Sequence, residues 1–212
     1  MRRLKWAKAY LEENQLYKDP SIHKGRWKKS LGVDEIHVEI GSGKGDYFIG
    51  MSKIYPHIGW IGVEKNESVA ALALRKAHSE NVQKNTSFIY QDAKNLEEWF
   101  MDGEIHTLHL NFSDPWPKNR TSKRRLSHVS FLEKYYRLLD KQGEIQMKTD
   151  NRSLFEYSLV SFSNHKFLLK EVYLDFRADI HDEDVISEYE KKFMEKGNPI
   201  YRAVFIKDTG KE

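Results

Sequence analysis

The chain carries at residues 35–45 the stretch EIHVEIGSGKG, in which a short apolar run passes directly into a glycine-rich turn. Glycines at positions 41, 43 and 45 allow a tight turn and a close approach of the backbone to a ligand. A strand that ends in such a turn is typical of the first unit of an α/β nucleotide-binding sheet. Taken alone, the same pattern also describes an ordinary strand-to-helix turn.

The pattern outward from this stretch alternates between strands and helices. Further apolar runs predict strands at 59–64, 86–92, 105–112 and 143–149. Helical periodicity separates the strands at 45–54, 66–80, 94–101, 127–139 and 151–163. This alternation predicts an α/β fold with a mostly parallel sheet and helices on both faces. In the last third we expect two more strands at 167–176 and 200–207, of which the closing strand pairs antiparallel, and a helix at 185–195.

The 212 residues suit one domain with a short appendage. Residues 1–30 hold nine Lys or Arg against three acids, whereas residues 179–190 hold six acids and no Lys or Arg. We therefore expect a basic N-terminal extension at 1–34, with a helix at 2–14 followed by an irregular segment, and a main domain at 35–212. An uneven charge distribution with a basic region indicates a polyanionic partner.

Several classes of protein are disfavoured by the composition. The chain has no cysteine, which excludes disulfides and thiolate metal sites, and its nine histidines show no spacing that predicts a metal site. No apolar run is long enough for a membrane helix, and no signal-peptide core follows the basic N-terminus. We expect a soluble cytoplasmic protein without a metal, either a monomer or a homodimer.

Acidic residues lie at the end of every predicted parallel strand. Open parallel sheets bind ligands beyond the carboxyl ends of their strands, so these side chains are expected at one rim. The five acids are Glu39, Glu64, Asp92, Asp114 and Asp150. Glu64 ends the second strand, about 20 residues beyond the glycine turn, where an acid suits the hydroxyls of a ribose.

The acidic rim favours a cationic nucleoside cofactor. A dinucleotide fingerprint requires a third glycine where Asp46 stands, and a phosphate-binding loop requires Ser or Thr where Gly45 follows Lys44. Carboxylates also repel a pyrophosphate. S-adenosylmethionine presents an ammonium group, a ribose diol and an exocyclic amine, which match Glu39, Glu64 and Asp92 in that order.

A second informative stretch is LHLNFSDPWPKNRTSKRR at residues 108–125. Prolines restrict the backbone, so Asp114 is expected to be held rigidly, and Trp116 is placed to stack on a base. Five of the eight residues 118–125 are Lys or Arg, which typically bind phosphates. A structural proline turn with a core tryptophan is the alternative, but the combination favours an enzyme acting on a nucleobase within a nucleic acid.

The run NFSDPWPKNRTSKRRL, with VEIGSGKG upstream and KTDNRSLFEYS and SEYEKKF downstream, resembles the bacterial tRNA (guanine-46 N7)-methyltransferases. The resemblance extends from about Lys5 to Arg202. It implies a Rossmann-like class I methyltransferase fold with a seven-stranded sheet. It also implies methyl transfer from S-adenosylmethionine to guanine N7 in the variable loop of tRNA.

The resemblance also implies roles for individual residues. Asp114 would be catalytic and would contact the cofactor. The other cofactor contacts would be Glu39, Gly41, Gly43, Glu64 and Asp92. The tRNA substrate would be bound by Lys118, Asp150, Ser187, Glu188, Tyr189 and Glu190. The RNA-contact segment would comprise Arg120, Thr121, Ser122, Lys123, Arg124 and Arg125. The chain departs from the family pattern at Asn119, Thr121 and Ser187, where Lys, His and Thr are usual.

Three alternatives remain open from the residues. Methyl transfer to an exocyclic amine uses a related acid-Pro-Pro motif, but its second proline stands one position earlier than Pro117. A non-catalytic RNA-binding module leaves the five acids unexplained. A nicotinamide-dependent dehydrogenase is disfavoured by Asp46. Guanine N7 carries a free lone pair and needs no general base, so Asp114 or Asp150 is expected to hold the guanine and stabilise its developing charge.

Overall fold

The computed structural model describes residues 3–14, 19–80 and 84–210. The chain divides into two compact units, Met1–Met101 and Asp102–Glu212. Within the described residues, no helix is long and apolar enough to cross a membrane.

The described residues of the first unit include three parallel strands. They are β1 (Glu35–Ile40), β2 (Ile58–Glu64) and β3 (Thr86–Tyr90), with β1 and β3 paired to β2. Its helices are α1 (Ala7–Glu13), α2 (Trp27–Leu31), α3 (Asp46–Ile54), α4 (Glu67–Ser79) and α5 (Leu96–Trp99). Gly62 lets α3 approach β2 closely, since a Cβ atom there would lie 2.7 Å from the Phe48 ring.

The N-terminal helix packs on α4. Ala7 and Leu11 of α1 are fully buried in a cluster that contains Ala70 and Ala71 of α4. The backbone N–H of Leu4 donates to the Ser68 hydroxyl at 2.9 Å, which joins the residues just before α1 to the same helix. The structure therefore confirms a helix within the predicted range 2–14, at Ala7–Glu13, although residue 2 of that range lies outside the described residues.

The prediction that residues 15–34 are irregular was wrong for much of the segment. A 3₁₀ helix spans Pro20–His23 and α2 spans Trp27–Leu31; residues 15–18 lie outside the described residues. The cause is a tertiary contact. Trp27 is buried and its indole N–H donates to the carbonyl of Trp99 at 2.9 Å.

Four strands lie in the second unit, within its described residues 102–210. They are β4 (Ile105–Asn111), β5 (Leu139–Thr149), β6 (Phe167–Tyr173) and β7 (Tyr201–Lys207). Its helices are α6 (Val129–Leu138), α7 (Arg152–Ser163) and α8 (Glu188–Met194). β4 and β5 are parallel, whereas β7 runs antiparallel to both β5 and β6. Stacked Phe162 and Phe205, with ring centroids 4.1 Å apart, join α7 to β7 in the core.

The strand order is β3-β2-β1-β4-β5-β7-β6 in one seven-stranded sheet. The expected α/β fold is thus confirmed, with a mostly parallel sheet and an antiparallel last strand. The predicted strands at 59–64, 86–92, 105–112 and 200–207 each agree with observed strands to within two residues at either end. β5 begins earlier than predicted, because it follows α6 directly at Leu139.

Candidate functional site

The glycine-rich turn after β1 is hydrogen-bonded to β2. The backbone N–H groups of Gly41 and Ser42 both donate to the Val63 carbonyl, at 2.8 and 3.0 Å. Gly41 has a φ of 77°, a conformation that side chains rarely adopt. A Cβ atom on Gly41 would meet no other atom within 4 Å, so the turn leaves room for a ligand against its backbone.

Glu64 is joined to this turn at the end of β2. One carboxylate oxygen accepts from the Gly43 N–H at 3.2 Å and the other from the Asn66 N–H at 2.7 Å. Burial raises the pKa of Glu64, against the opposing effect of backbone N–H donors. The structure therefore places a partly desolvated carboxylate beside the open turn, where further donors would stabilise its charge.

Glu39 lies near the end of β1 and is 3% exposed. Its carboxylate accepts from the backbone N–H of Phe48 at 3.3 Å, in the first turn of α3. Free N–H groups and the macrodipole make a helix N-terminus favourable for an anion. The local fold thus accommodates a buried carboxylate at the base of the glycine turn.

Asp92 follows β3 by two residues and is partly exposed. Its side chain accepts from the Lys94 N–H at 3.1 Å and so begins the 3₁₀ turn Ala93–Asn95. Because β1, β2 and β3 are parallel, Glu39, Glu64 and Asp92 all belong to the carboxyl edge of this unit.

These residues fit S-adenosylmethionine. The three carboxylates can accept hydrogen bonds from its ammonium group, its ribose hydroxyls and its adenine amine. The absence of a side chain at Gly41 leaves space for the ligand to contact the protein backbone. The Ser42 hydroxyl is buried without a hydrogen-bond partner among the described residues, which leaves a further polar group to satisfy. Those residues contain no group of three or more His, Asp or Glu side chains arranged to hold a metal ion.

In the second unit, Asp114 lies on a strained turn after β4. The described residues include only three non-glycine residues with positive φ, and two of them flank Asp114: Phe112 at 50° and Trp116 at 39°. Such conformations are uncommon and cluster at functional sites when the surrounding structure holds them. The Asp114 side chain is exposed, so the turn presents its carboxylate to solvent.

Two arginines of residues 118–125, the basic segment, contact this turn. The guanidinium of Arg125 donates to the carbonyls of Pro115 and Trp116, at 3.0 and 3.1 Å. The guanidinium of Arg124 lies over the Trp116 ring, 4.8 Å from its centroid. Trp116 is therefore partly covered by the chain itself, and only the remaining ring surface is open for stacking.

The rest of the predicted RNA-contact segment forms a short 3₁₀ helix, Asn119–Arg124. Exposed cationic side chains lie along it and at its start: Lys118, Arg120, Lys123 and Arg124. The Thr121 hydroxyl donates to the Lys118 carbonyl at 2.8 Å, and the Ser122 carbonyl accepts from the Arg125 N–H at 3.0 Å. The exposed cations are thus carried on an ordered turn.

Asp150 directly follows β5 and is half-buried. Burial raises the pKa of Asp150, while its own backbone N–H and the charge of Lys196 act in the opposite direction. Both predicted guanine-holding carboxylates, Asp114 and Asp150, therefore follow neighbouring parallel strands of the same unit.

The predicted substrate segment 187–190 opens α8. Ser187 caps this helix, and its hydroxyl and the Glu190 side chain form a reciprocal capping box. Glu188 is exposed and pairs with Lys192 at 2.7 Å. Tyr189 is 53% exposed and contacts the ring of Phe112, with centroids 5.6 Å apart. The helix is therefore packed beside the strained turn that carries Asp114.

Glu190, the last residue of the predicted substrate segment 187–190, belongs to a buried ring of charges that the sequence analysis did not predict. Lys148 bonds to Asp184 at 2.5 Å and to Glu190 at 3.2 Å, and Arg177 bonds to the same two carboxylates at 2.5 and 2.7 Å. All four side chains are at most 7% exposed. A lysine in the middle of the buried run of β5 was the available signal, since a buried cation requires partners.

The mostly parallel seven-stranded sheet with its antiparallel last strand is the class I methyltransferase fold. A structure with a similar fold is a variant of the 16S rRNA (adenine(1408)-N(1))-methyltransferase from Catenulisporales acidiphilia, with a TM-score of 0.65 and 10% identity over 92% of this chain and 94% of that chain. A family model described as "Putative methyltransferase" matches residues 34–203.

Curated relatives narrow the assignment. The tRNA (guanine-N(7)-)-methyltransferase of Listeria welshimeri is 52% identical over 200 residues, covering 93% of each chain. The protein of the same name from Streptococcus gordonii is 47% identical, covering 97% of this chain and 99% of that one. The chain belongs to this methyltransferase family, which confirms the resemblance seen in the sequence.

Proposed function

We propose that the protein transfers a methyl group from S-adenosylmethionine to N7 of a guanine in tRNA, at position 46 of the variable loop. The observation that carries this proposal is the 52% identity, over nearly the whole chain, to a relative named tRNA (guanine-N(7)-)-methyltransferase. The glycine turn, its three carboxylates and the exposed basic segment support it independently.

The cofactor is bound by the carboxyl edge of the first unit. Glu39 receives the ammonium group, Glu64 the ribose hydroxyls and Asp92 the adenine amine, while Gly41 and Gly43 allow close backbone approach. Following the family resemblance, Asp114 also contacts the cofactor. When bound, S-adenosylmethionine supplies a methyl group whose bond to sulfur breaks as its bond to guanine N7 forms.

Catalysis needs alignment and charge stabilisation rather than proton removal. Guanine N7 is an exposed lone pair, and the purine ring gains positive charge as the methyl group arrives. A carboxylate that accepts hydrogen bonds from the guanine edge stabilises that charge. We assign this role to Asp114, on its strained turn, with Asp150 as the second carboxylate that contacts the substrate.

The tRNA is held by Lys118, by the exposed side chains of residues 120–124 and by the start of α8. Lys118, Arg120, Lys123 and Arg124 neutralise phosphates, because charge neutralisation dominates the affinity of proteins for nucleic acids. At α8, the exposed side chains of Glu188 and Tyr189 are available to the substrate, whereas Ser187 and Glu190 fix the helix that presents them.

The proposal also covers the domains, the oligomeric state and the location of the protein. Residues 1–34 form a basic extension and residues 35–212 the methyltransferase domain. The oligomeric state that we propose is a monomer or a homodimer. A tRNA substrate implies action in the cytoplasm.

The test is an assay of purified protein with methyl-labelled S-adenosylmethionine and an unmodified tRNA transcript, followed by digestion to nucleosides. We expect the label in 7-methylguanosine and its loss when the variable-loop guanine is replaced. Label in a nucleoside methylated on an exocyclic amine would overturn the assignment to N7. Cofactor binding without any label transfer would overturn tRNA as the substrate.

A further inference from the structure

The guanidinium of Arg125 points into its own loop. Its Nε donates to the Pro115 carbonyl at 3.0 Å and its Nη2 donates to the Trp116 carbonyl at 3.1 Å. A planar guanidinium can span two adjacent acceptors with a fixed geometry, which the single ammonium group of lysine cannot reproduce. The two bonds therefore hold consecutive peptide groups of the turn that carries Asp114.

A helix supports this guanidinium from the other side. The Tyr157 ring of α7 lies 4.2 Å from the Arg125 guanidinium carbon, within the range of a cation–π contact. Arg125 is only partly exposed, unlike Arg120 and Lys123 of the same segment. Arg125 therefore connects the proline turn to a helix of the core, whereas its neighbours remain open to solvent.

The turn requires such a connection because its backbone is strained. Trp116 has a φ of 39° and Phe112 has a φ of 50°, and neither residue is a glycine. Conformations of this kind persist only where surrounding contacts impose them. The bonds from Arg125 reach Trp116 itself and the residue that follows Asp114, so they act on the strained segment directly.

We infer that Arg125 is a positioning residue for methyl transfer and not one of the phosphate contacts of the basic segment. Its guanidinium, braced by Tyr157, fixes the Asp114–Pro117 turn in the conformation that presents the Asp114 carboxylate to the guanine. This inference rests on the proposed function. It separates the segment into two sets: exposed cations that bind phosphates, and Arg125, which orders the catalytic turn.

The variant Arg125→Lys distinguishes the two roles, because lysine keeps the charge but loses the two-pronged hydrogen bonding. We expect kcat to fall roughly tenfold to a hundredfold, as for a small displacement of a reacting group. The KM for tRNA and the dependence of tRNA affinity on salt should stay close to wild type. A matched variant, Lys123→Ala, should show the opposite pattern, with a raised KM and a salt slope lower by about one.

A second pair of variants keeps the test decisive if Arg125→Lys is unstable in thermal melts. Tyr157→Leu removes the ring beneath the guanidinium and should lower kcat. Tyr157→Phe keeps the ring, so its kcat should stay close to that of wild type. Wild-type kcat in both Arg125→Lys and Tyr157→Leu would overturn the inference, as would a loss confined to KM and the salt slope. In those cases the wild type still methylates tRNA, whereas a wild type that leaves tRNA unmethylated overturns the proposed function and the inference together.

Discussion

Removing one charge from the buried ring tests how the start of α8 is held. Lys148, Arg177, Asp184 and Glu190 alternate in sign, and each cation bonds to both carboxylates. Burial opposes the charge of Arg177, yet its hydrogen bonds and its attraction to Glu190 and Asp184 leave its pKa raised. In Glu190→Gln, two buried cations would share a single carboxylate.

The size of the effect follows from the burial. Glu190 is 0% exposed and Lys148 is 2% exposed, so solvent screens their charges little. Breaking a buried ion pair by removing one partner costs about 3–5 kcal/mol. For a chain of this size each kcal/mol lowers the melting temperature by about 2–4 °C, so we expect a fall of roughly 6–20 °C. Glutamine still suits the third position of a capping box, so the change isolates the charge.

Thermal melts followed by circular dichroism at neutral pH measure this fall. The matched control is Glu188→Gln, which removes an exposed pair with Lys192 worth about 0.3–0.5 kcal/mol. The double variant Lys148→Met with Glu190→Gln leaves one buried cation facing one buried carboxylate, and should be more stable than the two single effects added together. If Glu190→Gln melts within about 2 °C of wild type, as the control should, the ring does not hold α8.

Three further predictions concern the proposed site. Burial raises the pKa of Glu64 above the usual 4.3 or so, so the cofactor-free protein should lose stability as the pH rises from there through the raised pKa. Thermal melts of Glu64→Gln should lack that pH-dependent loss of stability. By calorimetry this variant should bind S-adenosylmethionine roughly 10- to 150-fold more weakly, and unchanged affinity would show that Glu64 does not bind the cofactor. Asp114→Asn should lower kcat roughly 10- to 100-fold in the methylation assay, and near wild-type turnover would refute a role for its charge. Lys118→Ala should reduce the salt slope of tRNA binding by about one in filter-binding titrations, and an unchanged slope would show that Lys118 contacts no phosphate.

The sequence predicts the parallel part of the fold well because the relevant signals are local. β1 and β2 are short runs rich in β-branched residues and are buried along almost their whole length, and the glycine turn marks where β1 ends. Helix α2 was missed because WKKSL has only five residues, too few to show a helical period. Its stability comes from the burial of Trp27 against Trp99, a contact 72 residues apart in the chain.

In the candidate site, too, features with a local sequence signal could be predicted and features that depend on long-range contacts could not. The acids of the strand ends could be identified from their position after each predicted strand. The buried ring of charges could not be identified, because Lys148 bonds to partners 36 and 42 residues away and the six acids clustered at 179–190 resemble solvated surface. The basic segment was interpreted uniformly as phosphate-binding, since only the three-dimensional contacts of Arg125 with the Pro115 and Trp116 carbonyls and with Tyr157 show that it points inward.

The position of the methyl group in tRNA tests the account most directly. Borohydride reduction followed by aniline treatment breaks an RNA chain at 7-methylguanosine, so an end-labelled transcript treated after incubation with enzyme and S-adenosylmethionine shows where the modification lies. The account predicts a single new break at guanine 46 in the variable loop, absent without the cofactor. A methylated transcript that shows no break, or a break at another guanine, would contradict it.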